Sequence, residues 1–150
     1  GVAPFGLEPQ RTLRLEKGHV IVSQDTDSES NLLEAAMPWI VKAEKPDFVG
    51  KWAVQQVAER GLRFMLVGFE SPSGKLPVEG GQVVVEGRSA GRVTSVRRSL
   101  ELGKVIGLAV LPVELAVEGG RFDVQVDGQP VPMKVHLGPF FDPDGARLKA

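Results

Sequence analysis

Apolar and polar positions alternate along the chain in two textures, mixed up to about Gly61 and β-patterned beyond it. In the first part, Leu7, Leu13 and Leu15 recur among charged residues at helical spacing. Pro9 suits a first helical turn and Gly18 a stop, so a helix is predicted over 8–17. Short strands are predicted at 19–22 and at 37–42, around Trp39, separated by a polar, solvated loop at 23–31. Asp47 is placed as the cap of a helix running to Arg60, with Gly61 as its stop; Val54, Val57 and Ala58 would dock that helix on a core.

The second part predicts strands at 63–70, 82–86, 92–96, 104–110 and 121–126. The first of these is apolar on both faces, as a central barrel strand would be. Asp127-Gly128 is a favoured two-residue hairpin loop. On the return strand Val131, Met133, Val135 and Leu137 point inward, while Lys134 and His136 point outward on an edge hairpin. Short strands in this number remove their open edges best by closing, so 62–137 is expected to form an antiparallel barrel of about six strands.

Composition narrows the chemistry. The chain has no cysteine, which excludes disulfides, a cysteine nucleophile, thiolate zinc and iron–sulfur ligation within it. Formal net charge is −1 with no basic stripe, which argues against a nucleic-acid partner. Arg88, Arg92, Arg97 and Arg98 form the densest positive group and are expected to be a solvated barrel rim. No apolar run approaches a membrane span and no signal peptide is visible, so a cytoplasmic location is expected.

The candidate motifs fail on spacing. The stretch from Gly68 to Lys75 has five residues between its glycines where a phosphate loop has four, and Leu76 stands where Ser or Thr should hold magnesium. No GxGxxG occurs. Asp25, Asp27 and Glu29 alternate as in a calcium loop, but Ser30 and Ala36 replace the required glycine and glutamate. His19 and His136 are expected to be structural, Glu16 is expected to pair with a nearby arginine, and no catalytic or metal residue is assigned.

Five segments in order carry a resemblance. They are Gly6-Leu-Glu-Pro-Gln-Arg-Thr-Leu-Arg14-Leu-Glu16-Lys-Gly18, Ile21-Val-Ser-Gln24-Asp25-Thr26-Asp27 and Asp47-Phe-Val-Gly-Lys51. The barrel adds Gly91-Arg-Val-Thr94-Ser95 with Leu102-Gly103-Lys104-Val-Ile-Gly107-Leu-Ala109, and the chain closes on Phe140-Phe-Asp142-Pro143-Asp-Gly145-Ala-Arg147. Together they resemble the C-terminal part of the folate-dependent aminomethyltransferase family, most closely a sarcosine oxidase alpha subunit. Gln10 stands where the glycine cleavage enzyme has a folate-binding arginine. The related iron–sulfur assembly factors carry a cysteine in the stretch matching 17–24, which is absent here.

That resemblance implies an α+β fold: a small incomplete α/β segment of a folate-binding domain (1–61), then a C-terminal six-stranded antiparallel β-barrel (62–150). It implies tetrahydrofolate as the cofactor of the parent protein, with Glu8, Arg14, Glu16, Arg97 and Arg147 as candidate folate contacts. FAD or FMN and NAD would sit on other parts or subunits, and the partners would be the remaining alpha-subunit domains and the other oxidase subunits. The family's catalytic aspartate has no counterpart here, so the isolated chain is expected to lack oxidase and transferase activity. The competing expectation is a stand-alone docking module of the same fold.

Overall fold

In the computed structural model, which describes residues 3–149, ten residues form the first helix, α1 (Leu7–Glu16). Its C-terminus is closed by Gly18 at φ +70°, where Gly18 N–H donates to Leu15 O (2.9 Å) and His19 N–H to Arg14 O (2.7 Å). This paired closure is what the Gly18 stop signal predicted. The strand expected at 19–22 is instead a turn, because 21–25 folds back on itself through Asp25 N–H to Ile21 O (2.9 Å). The strand expected around Trp39 is a single 3₁₀ turn, Pro38–Ile40, opened by the proline.

The second helix, α2 (Lys51–Arg60), starts at Gly50 in the left-handed region, and Asp47 reaches only its neighbour, Phe48 N–H. No residue of α2 is buried, and Trp52 is 73% exposed. The docking inferred for this helix is therefore absent among the described residues.

Six strands follow: β1 (Phe64–Ser71), β2 (Gln82–Val85), β3 (Arg88–Ser99), β4 (Lys104–Pro112), β5 (Arg121–Val126) and β6 (Gln129–His136). They close in the order β1-β4-β3-β2-β5-β6, every pair antiparallel. The expected barrel is thus present. Since β1 pairs with β6, the last hairpin is no edge, and His136 stacks on Phe140 at 4.6 Å. Asp127 and Gly128 both adopt positive φ, as the primed turn requires. Leu137 lies beyond β6 and is 43% exposed, so the inward alternation ends at Val135.

The interior is filled by Val67, Phe69, Val93, Val105, Leu111, Phe122, Met133 and Val135, with Phe69 and Phe122 packed edge to face at 5.8 Å. A second apolar cluster, Leu66, Ile106 and Leu108, lies on the outer face of β1 and β4 and is capped by Leu15 of α1. Hence β1 is apolar on both faces: one lines the barrel and the other receives the helix.

Candidate functional site

The region where α1 meets β3 is organised by one carboxylate. Asp25 is buried and accepts four hydrogen bonds. Oδ1 takes Thr94 Oγ1 at 2.7 Å and Ser95 Oγ at 2.5 Å; Oδ2 takes the Arg14 guanidinium at 2.6 Å and Ile21 N–H at 2.8 Å. Adjacent strand residues normally point to opposite faces. Here the register of β3 against β4 slips between Val93 and Ser95, so Thr94 is extra. A bulge of this kind re-aims side chains, and it lets two consecutive hydroxyls reach the same carboxylate. Arg14 also donates to Ser95 Oγ at 2.5 Å and to His19 O at 3.1 Å, while its buried Nε has no partner.

Each predicted contact residue has a definite place. Glu8 sits at the open end of α1 and accepts from Arg11 and from Arg97, each at 3.2 Å. Arg97 also donates to Glu79 at 2.7 Å. Glu16, expected to pair with an arginine, is instead buried against Ser99 Oγ at 2.5 Å. Arg147 lies over the Phe141 ring at 4.8 Å and 3.8 Å from Glu101. The fold thus joins Glu8 to Arg97 and places Arg14 and Glu16 along the same strand, with Arg147 apart on the C-terminal segment. The arginine rim is not simply solvated: Arg92 meets Asp27 at 2.8 Å and Arg98 donates to Gly74 O at 3.0 Å. Asp27 is held down at about 2 by the Ser30 hydroxyl first and Arg92 next, with slight burial opposing them.

Asp25, Thr94, Ser95 and Gln24 were missed as a group. Their sequence signal was the loop motif Gln24–Asp27 and the Thr94-Ser95 pair, but no periodicity shows that a bulge brings them together.

A groove of about 670 Å³ opens where the C-terminal end of α1 meets the outer face of β1. Met37, Trp39, Leu66 and Leu108 line it with apolar surface, and Lys17, which also pairs with Asp142, and His19 supply its basic groups. Its size and mostly apolar walls are those of small-molecule sites. A second groove, of about 560 Å³, lies beside Asp27, Arg63 and Arg92. Neither is lined by any of the five predicted contacts.

Residues 65–142 match the family described as "Glycine cleavage T-protein C-terminal barrel domain", which is over half the chain. The chain belongs to this glycine cleavage T-protein family. Residues 1–45 of this T-protein family chain match the "GCVT N-terminal domain". It is 42% identical to an aminomethyltransferase of Rubrobacter xylanophilus, over 97% of this chain and 40% of that protein. It is 37% identical to one of Synechococcus elongatus, over 94% and 38%. The crystal structure of glycine cleavage system aminomethyltransferase T from Bartonella henselae superposes with a TM-score of 0.86 at 25% identity, covering 92% of this chain and 39% of that one. The chain therefore spans about two fifths of the length of the relatives it matches. Among its described residues no helix is long and apolar enough to cross a membrane.

Proposed function

We propose that this chain is the C-terminal part of a folate-dependent one-carbon transfer protein of the sarcosine oxidase alpha subunit branch, and that it forms one wall of the tetrahydrofolate site. The observation that carries the reading is the 670 Å³ groove, whose sides come from both proposed parts, 1–61 and 62–150. A pterin and its aminobenzoyl group are flat and aromatic, which suits the walls of Trp39, Met37 and Leu66; the glutamate tail is anionic, which suits Lys17 and His19. Arg14 and Glu16 serve this wall indirectly, by fixing α1 on β3. Glu8, Arg97 and Arg147 lie outside the groove and keep charged ends at the surface, where they would meet only those polar groups of the ligand that extend beyond it.

The oxidase branch is favoured by Gln10 in place of the glycine cleavage arginine, and by segments 21–27 and 140–147. On this reading the one-carbon unit arises from sarcosine, the flavin and dinucleotide reside on other domains or subunits, and the protein works in the cytoplasm. A second reading, a non-catalytic docking module, is favoured by α2, with its exposed Trp52 beside the exposed Val49.

Calorimetric titration with tetrahydrofolate separates the two. It is run on this chain and on a longer protein in which the rest of the family's N-terminal domain precedes it. Binding that weakens on Trp39→Ala and Lys17→Ala is expected; no binding to either protein would leave the docking reading. The branch is tested by reconstitution with a flavin-bearing partner. Sarcosine-dependent formation of methylenetetrahydrofolate is expected, and turnover of a glycine-derived aminomethyl donor alone would overturn the oxidase assignment.

A further inference from the structure

Glu8 and Asp25 are joined by an unbroken run of polar contacts. Ser95 Oγ, which donates to Asp25, accepts from Gln24 Nε2 at 2.9 Å. Gln24 Nε2 also donates to Glu79 Oε1 at 3.2 Å. That same oxygen receives Arg97 at 2.7 Å, and Arg97 Nε donates to Glu8 Oε2 at 3.2 Å. A shorter route runs through the helix. Arg14, bound to Asp25 and Ser95, lies on α1 six residues after Glu8, a rise of about 9 Å on one rigid element.

The two ends of α1 are held very differently. Its C-terminal end is fixed by buried Leu15 and Glu16. Its N-terminal end has no side-chain cap, and Phe5 and Leu7 are exposed. Arg14 and the Gln24–Glu79–Arg97 run are therefore what fix the direction in which the open end points.

We infer that Asp25 is a positioning residue: by clasping Arg14 to the bulged Thr94-Ser95 pair, it orients α1 on β3 and so sets the Glu8–Arg97 pair for polar groups of the ligand that extend beyond the groove. This rests on the proposed function, in which Glu8 and Arg97 meet tetrahydrofolate. The chemistry suits the role. A carboxylate that accepts four directed hydrogen bonds fixes orientation more than it stabilises, because desolvating a buried ion pair offsets much of its attraction.

The test compares Asp25→Asn, Ser95→Ala and the double replacement of Arg14→Met with Asp25→Leu. Each is read by tetrahydrofolate titration, amide exchange in α1 and β4, and melting temperature. Asp25→Asn should weaken folate binding at least tenfold and speed exchange in α1 while leaving β4 protected; Ser95→Ala, the gentler change, should give an intermediate loss. The double replacement removes both buried charges, so it should recover melting temperature without recovering affinity, since Ser95 and Gln24 still lack the carboxylate. Affinity recovered together with melting temperature would mean that Asp25 is merely structural and would overturn the inference. So would unchanged binding in Asp25→Asn. If Asp25→Asn does not fold, the Ser95→Ala and double-replacement outcomes decide. A parent protein that takes up no tetrahydrofolate brings down the proposed function, whereas intact parent binding with no effect of these changes brings down this inference alone.

Discussion

Glu16 and Ser99 lie 83 positions apart and meet through a 2.5 Å hydrogen bond that seats the C-terminal end of α1 on the end of β3. Both side chains are buried. Ser99 Oγ also accepts Leu102 N–H at 3.0 Å, so one hydroxyl serves the helix and the β3–β4 turn together. Ser99→Ala leaves a buried carboxylate without its donor, and is expected to lower stability by about 1–3 kcal/mol. Urea unfolding monitored by circular dichroism measures it. A loss under about 0.5 kcal/mol, the usual size of a surface change, would mean that the pair contributes nothing.

Gly107 sits on β4 beside the bulge, opposite Val96. A methyl group there would overlap the Ser95 carbonyl oxygen and the edge of the Phe69 ring. Neither can retreat, because one is strand backbone and the other is buried in the barrel core. Gly107→Ala is therefore expected to cost about 1–3 kcal/mol or more through overpacking. It should also loosen the Thr94-Ser95 grip on Asp25. Thermal melting compared with Gly87→Ala, a left-handed turn position with open space around it, separates core overlap from turn strain.

The acid limb of stability should carry the mark of Asp27. Its folded value is lowered to about 2 by the Ser30 hydroxyl, then by Arg92. A lowered carboxyl contributes stability that is complete above its unfolded value, about 3.9, and is lost as pH falls toward 2. The stability difference between the parent and Asp27→Asn should thus be constant above pH 5 and shrink between roughly pH 4 and 2. The side chain is 53% exposed, so solvent screening keeps the effect small. Melting both proteins across that range checks it. A difference that grows on acidification would contradict the sign.

The barrel was legible in sequence because its information is local. Strand alternation in 121–126, the Asp127-Gly128 turn and the two-faced apolar run at 63–70 each declare their own structure. Where local chemistry was ambiguous, expectation failed. The β2–β3 turn uses Glu86 and Gly87 at positive φ, but glutamate is not a residue that announces such a turn, so the first residues of β3 went unassigned. Residues 19–22 are apolar enough to suggest a strand, yet Asp25 pulls 21–25 into a turn through Ile21 N–H. The α1–β3 seam was illegible for a related reason. Arg14, Asp25 and Ser95 converge only because a one-residue bulge turns Ser95 outward, and no spacing in the sequence encodes that register.

Glu8 and Arg147 offer the cleanest separation of ligand contact from fold maintenance. Glu8 is 68% exposed at the open end of α1, and Arg147 is 73% exposed on the C-terminal segment. Exposed ion pairs contribute little, so Glu8→Ala and Arg147→Ala should each leave the melting point nearly unchanged, within about 0.5 kcal/mol. A charged hydrogen bond to a bound ligand has larger consequences, since truncation leaves the ligand's polar group without its partner. If these residues meet tetrahydrofolate, each change should weaken its binding by about 1–3 kcal/mol, or roughly 5- to 150-fold. The two need not fall together. Glu8 shares its carboxylate with Arg11 and Arg97, so its removal frees the Arg11 guanidinium and leaves Arg97 paired with Glu79; Arg11 can then meet an anionic tail, and the loss should lie toward the smaller end. Arg147 meets Glu101 at 3.8 Å and the Phe141 face, and its removal frees no second guanidinium among the described residues, so its loss should be the larger. Calorimetric titration of both variants beside the parent decides the matter. Parent-like affinity in both would remove these two residues from the site while leaving the family assignment and the groove at Lys17, His19 and Trp39 untouched.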